Sequence, residues 1–364
     1  MHSRLGVFLS PLHDPTTDPH LALRRDVALV KHLDELNFDE CWFGEHHSLG
    51  WPLSGAPETL IAACAAVTSQ IRLASGVVTV PFHHPFHIAT RAIALDHLTR
   101  GRYILGVGPG ATPMDAEMLG IAMADLKPRL NEALPAIMEL INGDDYVSLE
   151  TSWFELHDAK MQMPRYSPLG IELAISSVGS PNGPETAGRH GLGLLSFGAP
   201  PPGWPDVDLA RQWQILEDSA NASAQPSSRS NWRIAVPVHI AETRKQAFAE
   251  ARYGFGRWLH NYWEHGVGSD IGMQGVDDEH RLEAMVDAGR AIVGSPEDAS
   301  NAIKDLEGRS GGFGTFLAYA VNWAPWEATK RSYELLATEV APHLNSNTQR
   351  GMESVNRRAA RMPT

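Results

Sequence analysis

The chain is poor in cysteine, in basic clusters and in long apolar segments. Cys41 and Cys64 are its two cysteines in 364 residues, with no C-x-x-C pair. No Cys/His set has ligand spacing, so neither a disulfide framework nor a zinc site is expected. The formal charge of −13, without any Lys/Arg run, argues against nucleic acid or an anionic membrane as a partner.

Targeting and membrane signals are also missing from the sequence. No apolar run approaches the roughly 20 residues of a spanning helix. The amino terminus has no basic region followed by an apolar leader. We therefore expect an enzyme of the cytoplasm that has no membrane partner.

Short apolar strands alternate with helices along the whole chain, without long polar linkers. The predicted strands cover residues 5–9, 40–44, 71–80, 103–107, 172–176, 193–197, 233–240 and 314–317. Eight such units predict an α/β fold, a (β/α)8 TIM barrel, with an antiparallel insertion at 146–163. An open doubly wound sheet is the alternative, but it rarely needs eight repeats. Residues 1–344 are predicted to form one domain and 345–364 a polar tail.

The second predicted strand leads directly into Glu45, His46 and His47. Residues at the carboxyl ends of parallel strands face the crevice where ligands bind. Adjacent residues of an extended chain point to opposite sides, so one of His46 and His47 can project into a given pocket and a shared metal site is not expected. A histidine with a purely structural hydrogen bond is the alternative.

Small residues occur in the middle of the third predicted strand, at Ala74, Ser75 and Gly76, and at the end of the fourth. Gly106, Gly108 and Ala111 superficially match the glycine fingerprint of nicotinamide-binding units. That fingerprint needs a helix, which Pro109 and Pro113 disfavour, and it usually belongs to the first unit. We interpret Gly106 and Gly108 as positions where the backbone can approach a flat ligand.

The loop from Ser176 to Glu185 follows the fifth strand and precedes a predicted helix at 184–190. Unpaired N–H groups and partial positive charge at a helix amino terminus favour a phosphate, here with help from the Ser180 hydroxyl. An ordinary capped loop is the alternative. Together with Gly106 and Gly108, the loop suggests a phosphorylated planar cofactor.

Five segments in the same order resemble the bacterial-luciferase-like flavin monooxygenases, most closely the limonene monooxygenase type. They are WFGEHHS at 42–48, LDHLTRGRYILGVGPGATPMDAEMLG at 95–120, GRHGLGLLSFGA at 188–199, VGSPEDA at 293–299 and SGGFGTFL at 310–317. The resemblance extends from Leu5 to about Leu344. It implies a luciferase-like barrel of eight strands.

The resemblance also implies which residues form the site. His46 corresponds to the catalytic histidine, and Gly76 and Val77 to a strand bulge under the flavin ring, often with a cis peptide. Gly108 is also predicted to contact the flavin. The phosphate loop corresponds to Val178, Gly179, Ser180 and Gly183. Trp42, Phe82 and His84 are predicted to line the substrate pocket, and a lid is expected at 266–278.

The implied reaction is a two-component oxygenation. Reduced FMN from a separate NAD(P)H-dependent flavin reductase would react with O2, and the C4a-hydroperoxide would oxygenate a small apolar substrate such as a cyclic terpene or ketone. FAD is the alternative flavin, and the deazaflavin F420 is less expected.

One departure from luciferase and two functional alternatives accompany the resemblance. Gly108 and Pro109 stand where luciferase has a reactive cysteine and a phosphate-binding arginine, so light emission from an aldehyde is not expected. The alternatives are an F420-dependent oxidoreductase of the same fold and a non-catalytic flavin-binding homologue. A homodimer formed through the helices beside the early strands is also expected.

Overall fold

The computed structural model describes residues 3–199, 206–267 and 275–344. The predicted polar tail, 345–364, lies outside the described residues, and so does the stretch 268–274 of the predicted lid. Within the described part of the chain, no helix is long and apolar enough to cross a membrane.

Strands of the main sheet alternate with helices, as predicted. The strands are β1 (Arg4–Leu9), β2 (Glu40–Phe43), β3 (Arg72–Ser75), β4 (Val78–Thr79), β5 (Tyr103–Gly108), β6 (Val147–Glu150), β7 (Glu155–Ala159), β8 (Glu172–Ser177), β9 (Gly193–Phe197), β10 (Trp232–Ile240), β11 (Ile292–Gly294) and β12 (Thr315–Ala320). The helices are α1 (Pro19–Glu35), α2 (Pro57–Ala65), α3 (Pro85–Thr99), α4 (Pro113–Met118), α5 (Leu126–Asn142), α6 (Asn182–His190), α7 (Leu209–Ala222), α8 (Arg244–Arg257), α9 (Asp278–Asp287), α10 (Pro296–Ser310), α11 (Trp326–Leu335) and α12 (Ala341–Leu344). Two π-helical segments cover Trp258–Val267 and Leu336–Val340.

Parallel pairing closes the sheet into a barrel. Its order is β1, β2, β3 with β4, β5, β8, β9, β10 and β12, and β12 pairs again with β1. β11 extends the carboxyl half of β10, and β6 and β7 form a separate antiparallel hairpin. The predicted (β/α)8 TIM barrel with an antiparallel insertion is therefore confirmed, and the open sheet is excluded.

The barrel interior is a packed core. Its members are inward-pointing residues, one from each of eight strands: Phe8, Trp42, Ala74, Ile104, Ala174, Leu195, Ala235 and Leu317. Alternate residues of the same strands point outward and pack beneath the helices. This core supports the carboxyl ends of the strands, where the site forms.

A buried ion-pair network occupies the opposite, amino-terminal end of the barrel. The Arg233 guanidinium donates to both Glu40 oxygens, at 3.0 and 2.9 Å, and lies 2.6 Å from Glu172. Trp42 Nε1 donates to Glu40 at 2.9 Å. Burial would raise the pKa of Glu40, but Arg233 outweighs it and lowers the pKa to about 2.

Several helices begin with proline. The proline at the start of α4 corrects a prediction. α4 starts at Pro113, although this proline was expected to disfavour a helix. The prediction was wrong because proline is tolerated in the first helical turn, where its missing N–H has no helical partner. α4 has six residues and begins five positions after Gly108.

Candidate active site

A break in the third barrel strand forms the centre of the candidate site. Gly76 and Val77 separate β3 from β4, and their peptide bond is cis, as the resemblance implies. A Cβ added at Gly76 would lie 2.9 Å from the Phe8 ring and 3.2 Å from Trp42 Cβ. The bulge therefore lies directly on the aromatic interior of the barrel.

Gly108 lies at the end of β5, beside this bulge. A Cβ added there would lie 2.6 Å from Ser176 Oγ and 2.7 Å from Val77 Cγ2. The ends of β4, β5 and β8 thus come together closely because Gly108 has no side chain. Gly76, Val77 and Gly108, predicted as cofactor contacts, therefore lie close together: Gly76 and Val77 are half-buried, and Gly108 is buried against the Val77 side chain.

The predicted phosphate loop continues from β8 at the same edge. Val178 is half-buried, Gly179 and Ser180 are exposed, and α6 begins at Asn182. A Cβ added at Gly183 would lie 2.7 Å from the Ser176 carbonyl oxygen, so this glycine lets α6 pack tightly on β8. The first-turn amides of a helix lack helical acceptors.

The Ser177 hydroxyl adds a second polar feature to this loop. Its Oγ is buried and has no hydrogen-bond partner among the described residues. A buried polar atom without a partner is unfavourable, which a ligand oxygen at this position would relieve. The loop therefore fits an anionic group.

His46 follows β2 and is held by Asp115 from α4. His46 Nδ1 lies 3.2 Å from Asp115 Oδ2, and about 30% of its side chain is exposed. Asp115 Oδ1 also accepts from the His47 amide, at 3.1 Å, and from the Ser48 hydroxyl. Burial would raise the pKa of Asp115, but these bonds and the His46 interaction lower it. The carboxylate thus orients the His46 ring through Nδ1.

His47 turns away from His46 and joins a different carboxylate. Glu45 Oε1 lies 2.8 Å from His47 Nε2 and 2.8 Å from His83 Nε2, and Oε2 accepts from the Thr79 amide at 2.7 Å. Burial would raise the pKa of Glu45, but these hydrogen bonds lower it to about 2. The bond to Glu45 raises the pKa of His47.

The three predicted pocket residues occupy different environments. The Phe82 ring lies 5.7 Å from the His47 ring, at the edge of the site. Trp42 has no exposed surface and belongs to the barrel interior beneath the bulge. His84 caps α3 by accepting from the Phe86 amide, and its ring contacts Phe154. Contact of these residues with a substrate stays a prediction, and the positions of Trp42 and His84 do not support it.

A π-helix packs against the loop that carries His46. Leu259 and Tyr262 of Trp258–Val267 are buried, and the Tyr262 ring lies 6.3 Å from Trp51. Burial raises the pKa of Tyr262, as do the nearby Tyr319 and Asp115. The described start of the predicted lid, Gly266 and Val267, is the end of this helix.

Sequence reasoning assigned no role to Asp115, Glu45 or Ser48. Asp115 lies 69 positions after His46 in the sequence, so no local spacing connects the two. Glu45 adjoins His46 and His47 in the sequence, and this adjacency could have indicated that Glu45 belongs to the site. His84 was the predicted pocket residue, yet it is the neighbouring His83 that contacts Glu45.

Comparisons with known proteins identify the family of the chain. The protein-family model described as luciferase-like monooxygenase matches residues 3–311. The chain is 44% identical to 4-hydroxyprotoasukamycin monooxygenase of Streptomyces nodosus subsp. asukaensis, over 94% of this chain and 92% of that protein. It is 41% identical to limonene 1,2-monooxygenase of Rhodococcus erythropolis, over 94% and 87%.

A solved structure supports the same assignment. It is the oxygenating constituent of 3,6-diketocamphane monooxygenase of Pseudomonas putida, a type II Baeyer-Villiger monooxygenase in complex with FMN. The TM-score is 0.78 at 25% identity, and the match covers 94% of this chain and 99% of that one. This chain is an enzyme that belongs to the luciferase-like monooxygenase family.

Proposed function

We propose that this chain is the oxygenase of a two-component system that uses reduced FMN and O2 to oxygenate a small apolar substrate. The observation that carries the proposal is the strand break at Gly76 and Val77, which lies beside Gly108 and is flanked by the loop after β8 and by His46. The substrate class we propose is a cyclic terpene or ketone. Relatives named for limonene and diketocamphane support this class.

The residues present fit a phosphorylated flavin. Gly76, Val77 and Gly108 would lie against its ring, while Val178, Gly179, Ser180 and the amides before Gly183 would hold the phosphate. The Ser177 hydroxyl, which has no partner within 3–199, 206–267 and 275–344, is a further donor beside this loop. FMN, with its terminal phosphate, suits the loop; FAD is the alternative.

In this proposal the chain orients groups, transfers a proton and excludes water. When bound, reduced flavin supplies two electrons and the carbon at which O2 is activated. His46 Nε2 donates or accepts a proton at the reacting oxygen, and Asp115 positions the ring through Nδ1. Phe82 and the π-helix on the His46 loop limit access of water.

The direct test follows the oxygen atom. The purified chain is supplied with FMN, a generic NAD(P)H-dependent flavin reductase and isotopically labelled O2, together with a panel of cyclic terpenes and ketones. We expect a product that is heavier by one labelled oxygen atom, detected by mass spectrometry. Omission of the reductase should abolish product formation, because the chain is proposed to receive its flavin already reduced.

The same assay separates the two alternatives. An F420-dependent oxidoreductase would oxidise an alcohol with F420 in the absence of O2 and would leave no label in the product. A non-catalytic homologue would bind FMN, but reduced flavin would oxidise at the same rate with or without each substrate. Either result would contradict the proposed oxygenation.

We further propose a homodimer formed through α1 and α2. A groove of about 620 Å³ runs along them, with Leu23, Val27 and Ala63 in its lining. Leu53 and Ser54 also line it, and the Ser54 carbonyl accepts from the His46 amide at 3.0 Å. Location in the cytoplasm stays a prediction from composition.

Ala63→Glu is expected to give a monomer, because it would bury a carboxylate at the contact between copies. Size-exclusion chromatography with light scattering should report half the mass of the unmodified protein. Ala66→Glu is the control, since Ala66 is exposed beside the same helix but does not line the groove. A monomeric unmodified protein, or an Ala63→Glu dimer, would contradict the proposal.

A further inference from the structure

We propose that Glu45, His47 and His83 form a binding site for a divalent transition-metal ion of the Zn²⁺ class, beside the strand break at Gly76 and Val77. This inference is independent of the oxygenase proposal, because it assigns the ion no part in the reaction. The three ligand atoms lie within 4.8 Å of one another.

The ligand set and its spacing suit such an ion. Two imidazole nitrogens and one carboxylate oxygen are donors that zinc commonly takes. With metal bonds of about 2.0–2.1 Å, adjacent ligands of one ion lie roughly 3.0–3.4 Å apart. Both Nε2 atoms are 2.8 Å from Glu45 Oε1 and all three atoms lie within 4.8 Å of one another, so the side chains must rearrange locally to reach this spacing.

The site is already organised for a cation. The Glu45 side chain is only 1% exposed, and its Oε1 already faces both imidazole nitrogens at 2.8 Å. Its second oxygen accepts from the Thr79 amide, the kind of outer contact that fixes a ligating carboxylate. Asp115 adds a further negative charge near His47.

Access and location complete the argument. The His47 and His83 side chains are partly exposed, which leaves room for water ligands and for exchange of the ion. Glu45 and His47 follow β2, and His83 follows β4, so a bound ion would link the segments on either side of the bulge at Gly76 and Val77. It would replace the Glu45–His47 hydrogen bond within one segment and the Glu45–His83 hydrogen bond between the two segments by metal bonds.

Binding is tested with Zn²⁺ alone on the full-length, chelator-treated protein. We expect one tight ion per chain by calorimetry, and at least a 100-fold loss of affinity in each of Glu45→Gln, His47→Ala and His83→Ala. His157→Ala is the control, because this exposed histidine on the hairpin lies outside the group, and it should bind Zn²⁺ as the unmodified protein does. Equal affinity in the unmodified protein and any of the three variants would overturn the proposal.

A second measurement avoids any dependence on how the variants fold. X-ray absorption at the zinc edge of the unmodified protein should show two imidazole ligands and oxygen ligands. A spectrum with one imidazole or none, or the absence of bound zinc, would overturn the site and leave Glu45 as a carboxylate that only accepts hydrogen bonds from two histidines. Neither result bears on labelled-oxygen incorporation.

Discussion

Arg233→Met is expected to lower the free energy of unfolding by about 3–5 kcal/mol, because it leaves Glu40 as a buried charge without its main partner. Both side chains have no exposed surface, so water cannot replace the lost contact. Methionine roughly keeps the volume of the arginine stem. Chemical denaturation followed by tryptophan fluorescence measures the effect.

An exposed ion pair provides the matched control. Arg252 pairs with Glu279 on the outer surface, and both side chains are more than a third exposed. Arg252→Met should change stability by about 1 kcal/mol or less, since water screens such pairs. If the two variants lost equal stability, burial of the Glu40–Arg233 pair would not be the cause.

The same network predicts how stability depends on pH. The folded pKa of Glu40, about 2, is below its ordinary value of 4.5, so its ionised form stabilises the fold above pH 4.5. This contribution is lost as the pH falls through about 2. In Glu40→Gln this part of the acid sensitivity should be absent, which denaturation curves across this range can show.

His46→Ala is expected to lower turnover by about 100-fold or more, as removal of a general acid or base typically does. Affinity for FMN should stay within about twofold, because the flavin is assigned to Gly76, Val77, Gly108 and the loop after β8. Stopped-flow turnover and flavin titration on the same preparation measure both quantities. Turnover at the parental rate would remove His46 from the reaction.

Asp115→Asn distinguishes positioning from a purely structural role. Asparagine keeps the size of the side chain but loses the charge that orients the His46 ring, so turnover should fall and its pH profile should shift while folding is retained. His157→Ala, on the exposed hairpin, should match the parental protein in both assays. An unchanged pH profile in Asp115→Asn would contradict the positioning role.

The barrel could be predicted because each of its strands is a short apolar run followed by a helix. The predicted strand at 193–197 matches Gly193–Phe197, and that at 172–176 differs from Glu172–Ser177 by one residue. The run at 71–80 was read as one strand, yet it divides at Gly76 and Val77. Hydrophobicity does not reveal this break, because the residues on both sides are buried.

The site was less predictable because its contacts join distant segments. The position of His46 at a strand end could be read locally, whereas its partner Asp115 comes from a helix two units later. Trp42 shows the opposite difficulty. Trp42 is close to His46 in the sequence, but its side chain points inward from β2 and lies in the barrel core. An apolar run alone does not tell which side of the sheet a residue faces.

The buried Glu40–Arg233 network lies at the amino-terminal ends of the strands. His46, Gly76, Val77 and Gly108 lie at the other end. Tolerance to sequence change should therefore differ along the barrel axis. Libraries that vary the loops after the strands can search for new regioselectivity while the opposite end keeps the scaffold folded. Such libraries are best built on a parent in which Glu40, Glu172 and Arg233 are left untouched.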